Sequence, residues 1–283
     1  MAWLLSFFVP LEYVVFAHGY EFEKVRKNNL MRRLYNRIFR RAKRIIANSE
    51  ETRERLVRFG APLEKIKVLY PAVDWKKYEP RDLPPDFLEQ RRLAGRKILL
   101  TVGRLIERKG HDQILKALPM VLPHFPNALY CIVGIGPDEK RLKDEVRRLG
   151  LEDQVCFLGR IPDEELLFLY NACDVFVMPS REIAEGGHVE GFGIVYLEAN
   201  ACGKPVIGGK SGGIAEAVRD GETGFLVNPN DPSEIAEKII FLFRHPEKAR
   251  EMGRRGREWV RRTFDWERYA EEVYKLLNER ELE

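Results

Sequence analysis

In the stretch EGFGIVYLE, residues 190–198, two carboxylates bracket a Gly-Phe-Gly triplet. A helix turns about 100° per residue, so an unbroken helix would set Glu190 and Glu198 about 80° apart, and the two glycines oppose such a helix anyway. The pattern predicts a glycine loop feeding a helix that starts near Ile194, with Glu190 ahead of its N-terminus and Glu198 inside it. Free main-chain N–H groups at such an end attract phosphate. Carboxylates beside phosphate repel it unless they meet hydroxyls. The stretch therefore fits a ligand that offers both, a sugar joined through phosphates to a nucleoside.

A second segment fits the same ligand. LLTVGRLIERKGHD places Arg104 directly after a strand-like run and Lys109 five residues on, with Gly103 and Gly110 permitting close main-chain approach. Two cations at the carboxyl end of a strand can neutralise a diphosphate. IVGIGPDEKRL adds a Gly-x-Gly turn at Gly134 and Gly136, but it lacks the third glycine of a dinucleotide fingerprint, and Asp138 and Glu139 follow.

The elements that must hold these residues are regular from Arg96 onward. Apolar runs recur as KILLTVG, ALYCIVG, QVCFLG, VFVMP, KPVIGG and GFLV, separated by amphipathic stretches at 111–122, 138–149, 163–172 and 232–244. Strand–helix alternation with strands apolar on both faces predicts a doubly wound α/β domain, whose ligands meet the carboxyl ends of the strands. Before Arg96, YVVFAHG, RIIANS and IKVLYPAVD read as three strands. Ser49 is placed to cap a helix beginning near Glu50, and residues 79–95, with three prolines, read as a linker into a short helix.

Bulk properties narrow the class. The 283 residues carry a net charge of +4 and 33% charged side chains, which does not call for nucleic acid. Cys131, Cys156, Cys173 and Cys202 sit singly in apolar runs and read as buried free thiols in a reducing compartment rather than metal ligands. The apolar start, MAWLLSFFVPLEYVVFAHG, lacks the flanks of a signal peptide, and Pro10 and Glu12 interrupt it as a membrane span. It reads as a short helix, a turn at Pro10 and a buried strand over 13–16, as though the chain began mid-domain. The basic stretch at 24–44 spaces Leu30, Leu34, Ile38 and Ala42 by four, predicting one buried stripe ringed by arginines. Its outer face is either simply solvated or meets an anionic membrane or phosphorylated lipid.

Taken together, the blocks resemble the retaining glycosyltransferases of family 4, which have the GT-B fold. EGFGIVYLE matches their E-x7-E motif, and VGRLIERKG their phosphate-binding segment. FLGRIPDEEL, ACDVFVMPS, EANACGKPVI and DGETGFLV match successive blocks, so the resemblance covers residues 13–274. It implies a catalytic set of His18, Glu190, Arg104 and Lys109. Arg104 and Lys109 bind the diphosphate, Gly103 and Gly134 allow the donor close to the main chain, and the backbone around Arg160 and Ile161 meets the base. Glu190 contacts the transferred sugar with the Phe192 and Gly193 N–H groups nearby. Ile194 and Val195 lie by the phosphates, Glu198 holds the ribose hydroxyls, and His18 stands at the sugar end of the cleft. No metal and no cofactor beyond the nucleotide-sugar donor are implied.

Within the segment SREIAEGGHVEGFG, the stretch GGHVEGFGIVYLE resembles mannosyltransferases that use GDP-mannose and act on phosphatidylinositol mannosides or related lipid acceptors, so GDP-mannose is preferred over UDP-sugars as donor, with a lipid or glycan as acceptor. Family members carry a much longer segment before the histidine that matches His18; seventeen residues precede it here. The expectation is a complete C-terminal Rossmann-like donor domain over 79–263 and a partial N-terminal, acceptor-side domain over 1–78. A terminal helix over 264–283 packs back on the latter. A misassigned start, a fragment and a separately encoded half all account for the short N-terminus. The expected site of action is cytoplasmic, with peripheral attachment at the inner face of the membrane as one alternative. The rival readings are a nucleotide-sugar-binding fragment or subunit without turnover of its own, and a UDP-sugar-dependent transferase of the same family.

Overall fold

Strands with apolar side chains on both faces need helices on both sides, and the six runs beginning at Lys97 meet that condition. The computed structural model describes residues 2–5, 8–9, 11–19, 28–183 and 189–278. In it the runs form β4 (Lys97–Val102), β5 (Ala128–Val133), β6 (Val155–Gly159), β7 (Val175–Met178), β8 (Val206–Gly209) and β9 (Gly224–Val227). All pair in parallel, in the order β6-β5-β4-β7-β8-β9. The winding reverses between β4 and β7, and ligands of such sheets bind at that crevice, outside the carboxyl ends of the strands.

Alternation along the strands supplies two cores. Ile98 and Leu100 join Phe176, Met178 and Tyr196 on one face, while Leu99 joins Val175, Val177 and Tyr130 on the other. The first face is covered by α7 (Asp163–Ala172) and α8 (Ile194–Ala201), and the second by α5 (His111–Val121), α6 (Glu139–Leu149) and α10 (Pro232–Arg244). The four amphipathic stretches read from the sequence match α5, α6, α7 and α10 to within a residue. A long helix that the sequence reading did not pick out, α11 (Pro246–Thr263), gives Val260 to one core and Met252 to the other.

The second sheet is small: β1 (Val14–Ala17), β2 (Arg44–Ala47) and β3 (Ile66–Val68), parallel and in chain order. Asn28 caps α2 (Asn29–Arg41) by accepting from the Leu30 and Met31 N–H groups. Ser49 caps α3 (Glu50–Phe59) by accepting from Thr52, and Gly60, at φ +111°, ends it. Two expectations need correction. The first strand starts one residue later than read and is only partly buried: Tyr13 and Ala17 are covered, but β1 is an outer strand of the described sheet, and Phe16 is 45% exposed. The stripe spaced by four on α2 does not stay on one face either, because each step of four drifts about 40° around the helix. Leu30 is 74% exposed, and the buried contact is made by Phe39 and Ala42 with Tyr35 and Ile38 beside them. Residues 24–27 of the basic stretch, the turn at Pro10 and residues 279–283 lie outside the described residues. Among the described residues, no helix is long and apolar enough to cross a membrane.

The two sheets are tied at several points. Glu216, in the short helix α9 (Ile214–Ala217), accepts from the Glu50 N–H at 2.7 Å and the Glu51 N–H at 3.3 Å, so a carboxylate from one sheet's side caps a helix on the other's. Arg55 of α3 bonds Glu182 at 2.8 Å, and Tyr70 stacks on Phe192 with ring centres 5.6 Å apart. After α11 the chain returns as α12 (Trp266–Asn278): the Val73 N–H donates to the Phe264 carbonyl, Trp75 Nε1 to Asp265, and Lys43 Nζ to the Leu277 carbonyl.

Candidate functional site

The crevice between β4 and β7 holds a cleft of about 460 Å³ lined by His18, Arg104, Ile106, Arg108, Ile183, Val189, Glu190 and Gly191, with Glu107 at its side. One wall comes from the loop after β4. There a 3-10 turn over Glu107–Lys109 ends at Gly110, whose φ of +74° opens α5. The turn directs two cations at one oxygen: Arg108 Nη1 and Lys109 Nζ each lie 2.6 Å from Glu190 Oε2. All three side chains are largely covered. Burial opposes ionisation of Glu190, but the charges of Lys109 and Arg108 overcome it and hold the carboxyl below its usual range.

The loop is fixed from behind. Arg181, just after β7, and Asp112, in the first turn of α5, form a buried fork at 3.1 and 3.2 Å, and the Arg181 N–H donates to the Arg108 carbonyl at 2.9 Å. His111 is buried, with Nε2 3.3 Å from the Arg104 carbonyl and Nδ1 3.0 Å from the Tyr130 hydroxyl. Burial pushes its pKa down to about 4, so the ring is neutral. Gly134 and Gly136 bring the next loop against this one, since a side chain at either would strike the main chain at Gly103 or Leu105.

The opposite wall is the glycine loop. Gly191 lies against the His18 carbonyl with no room for a side chain, so the two sheets' loops touch at the cleft itself. Phe192 is buried, Gly193 takes φ +95°, and α8 begins at Ile194, where the sequence pattern placed it. Ile194 is 40% exposed at that first turn, and Val195 is half-buried. Inside the helix, Glu198 Oε2 accepts from the Tyr170 hydroxyl at 2.7 Å.

His18, Arg104 and Glu190 thus meet around one cleft, and Lys109 reaches it through Glu190. Arg104 is exposed at the rim rather than paired with Lys109. Arg160, exposed, and Ile161, packed on the core that holds Tyr170, follow β6 two strands away; neither they nor Glu198 are among the described residues lining the cleft. The sequence reading passed over Arg108, although it lies beside Lys109 in the same basic run, and it did not foresee that Glu190 would be ion-paired. Residues 184–188, central to the resemblance of SREIAEGGHVEGFG, lie outside the described residues. No group of three or more His, Cys, Asp or Glu side chains is placed to hold a metal among the described residues.

Comparison with known proteins places the chain in a family. The family model for glycosyl transferases group 1 matches residues 86–259, and that for glycosyltransferase family 4 matches residues 2–77. A GDP-mannose-dependent α-(1-6)-phosphatidylinositol monomannoside mannosyltransferase of Mycolicibacterium smegmatis is 37% identical over 233 residues, 82% of this chain. The chain spans 61% of that relative's length. A D-inositol 3-phosphate glycosyltransferase of Catenulispora acidiphila is 32% identical over 245 residues, covering 80% of this chain and 53% of its own. The crystal structure of Anabaena HepE with UDP and glucose superposes with a TM-score of 0.86 at 27% identity, over 97% of this chain and 74% of that one.

Glu190→Gln removes the shared counter-charge of Arg108 and Lys109. Inorganic pyrophosphate, titrated calorimetrically at low salt, is expected to bind this variant roughly fivefold more tightly than the parent, about 1 kcal/mol, with the gain shrinking as salt rises. An unchanged affinity would mean that the two cations do not serve anions in the cleft.

Proposed function

The chain belongs to the group 1 glycosyl transferases, and we propose that it uses the cleft between β4 and β7 to bind a nucleoside-diphosphate sugar and pass its hexose to a hydroxyl with retention of configuration. The observation that carries this is the convergence of Arg104, Arg108 and Lys109 with Glu190 at the point where the strand order reverses, faced by His18 from the other sheet. In this reading residues 79–263 form the donor side, residues 1–78 the acceptor side, and residues 264–283 return to the latter.

The proposed chemistry follows from the charges. When the donor enters, its diphosphate takes over Lys109 and Arg104, and the Glu190 carboxylate, still paired with Arg108, accepts from sugar hydroxyls near His18. The bond from the anomeric carbon to the diphosphate breaks with its electron pair passing to the phosphate. That charge is met by Arg104, Lys109 and the main-chain N–H groups at Phe192, Gly193, Ile194 and Val195. The acceptor oxygen bonds the anomeric carbon from the same face and gives its proton to the departing phosphate. Glu198 accepts from the ribose, and the Arg160–Ile161 backbone flanks the base.

Mannose from GDP-mannose is the proposed donor, supported by the name of the Mycolicibacterium smegmatis relative. A UDP-sugar is the second reading, supported by the UDP and glucose of the HepE complex. The proposed acceptor is a lipid or glycan, met by a protein that acts in the cytoplasm and attaches peripherally to the inner face of the membrane. Arg33, Arg37 and Arg40 are exposed on α2, with Leu30 exposed at its first turn, which supports contact with an anionic bilayer.

Arg104→Ala and Lys109→Ala are each expected to weaken GDP roughly ten- to a hundredfold in calorimetry while leaving guanosine nearly unaffected. Equal losses for both would remove these cations from the diphosphate, and tighter binding of UDP than GDP would favour the second reading.

The chain is also expected to sediment with vesicles containing phosphatidylserine at low salt, to release as salt rises, and to ignore pure phosphatidylcholine. Changing Arg33, Arg37 and Arg40 together to Gln is expected to abolish the binding. Indifference to lipid charge, salt and these changes would return α2 to a merely solvated face.

A further inference from the structure

Glu198 is a carboxylate inside a helix, nearly covered, and its surroundings are more specific than the fold requires. Tyr170 of α7 is fully buried and donates to Glu198 Oε2 at 2.7 Å. Tyr78, on the segment joining the two sheets, stands by the same carboxylate, and the two phenol rings meet edge to face at 5.8 Å. The segment is itself held: Arg257 of α11 donates to the main-chain carbonyls of Tyr78 and Ala201, and the Tyr78 N–H donates to the Asp74 carbonyl. The other groups facing Glu198 are Lys77, Asp163 and the buried Cys202 thiol, and Lys77 pairs with Asp163 at 2.9 Å, so their charges largely offset each other.

A buried carboxylate is costly to ionise unless donors are aimed at it. Burial raises the pKa of Glu198 above its usual range, and the Tyr170 and Tyr78 hydroxyls only partly offset that rise. The Tyr170 bond also restricts the orientation of the carboxylate, and the Tyr78 hydroxyl adds a second polar group beside it. We propose that Tyr78 and Tyr170 are positioning residues that keep the Glu198 carboxylate ionised and oriented toward the ribose of the bound nucleotide. The inference rests on the reading of Glu198 as the ribose acceptor. It adds that the joining segment, through Tyr78, has a part in nucleotide recognition.

The test compares affinities for GDP and 2′,3′-dideoxy-GDP from pH 5 to 8, or the uridine pair if UDP binds more tightly. The ratio isolates the ribose contact, because phosphate and base titrate alike in both ligands. The ratio is expected to be high where Glu198 is ionised and to fall as pH drops through its pKa. Tyr170→Phe and Tyr78→Phe each remove a donor and raise that pKa. Each is therefore expected to move the fall to higher pH and to lower the ratio roughly fivefold near the parent midpoint. Should Tyr170→Phe fail to fold, as judged by thermal unfolding, Tyr78→Phe carries the test, since its side chain is only half-buried. A ratio and midpoint identical to the parent in the folded variants would overturn the proposal. Glu198→Gln separates this failure from that of the underlying reading. If it leaves the ratio intact, Glu198 does not meet the ribose; if it collapses the ratio while the Phe variants do not shift it, only the positioning role fails.

Discussion

The site turns on a single oxygen. Glu190 Oε2 takes both Arg108 and Lys109 at 2.6 Å, in a place where none of the three side chains is well hydrated. An unpaired charge in such surroundings is expensive, and a half-satisfied pair is worse than a complete one. The loop after β4 and the glycine loop before α8 are therefore held to one separation by this contact. The buried Arg181–Asp112 fork and the His111 bond to the Arg104 carbonyl support it from behind. The same arrangement makes the pair exchangeable: a diphosphate offers Lys109 more charge than one carboxylate does, and a sugar hydroxyl offers Glu190 a neutral donor in place of a cation.

The joint between the sheets sets how the cleft is closed. The Glu216 cap on α3, the Arg55–Glu182 pair, the Tyr70–Phe192 stack and the approach of Gly191 to the His18 carbonyl all cross it. Two of these four involve the glycine loop itself. A change in the relative placement of the sheets would thus be felt first by Glu190 and Phe192. Tyr78, on the joining segment, extends the same dependence to Glu198.

Local patterns were legible where local physics decides. Six strands apolar on both faces, four amphipathic helices, the Ser49 cap and the helix start at Ile194 all follow from alternation, periodicity and glycine placement, and each stands where the sequence put it. The partners of charged groups were not legible. Arg104, Arg108 and Lys109 are chemically similar in the sequence, and only the 3-10 turn over Glu107–Lys109 decides that the last two face Glu190. Tyr78 and Tyr170 lie 92 positions apart, and nothing in their local sequence marks either as a neighbour of Glu198. Leu30 was misread because a spacing of four drifts around a helix, and α11 was missed because its many arginines hide a narrow apolar stripe.

A crystal structure of the chain with GDP-mannose would test the central claim most directly. The account predicts the diphosphate within hydrogen-bond reach of Lys109 Nζ and Arg104, with the Glu190 carboxylate turned from Lys109 to the sugar hydroxyls beside His18. A nucleotide sugar bound elsewhere, or bound in this cleft while Lys109 and Glu190 remain paired, would contradict it.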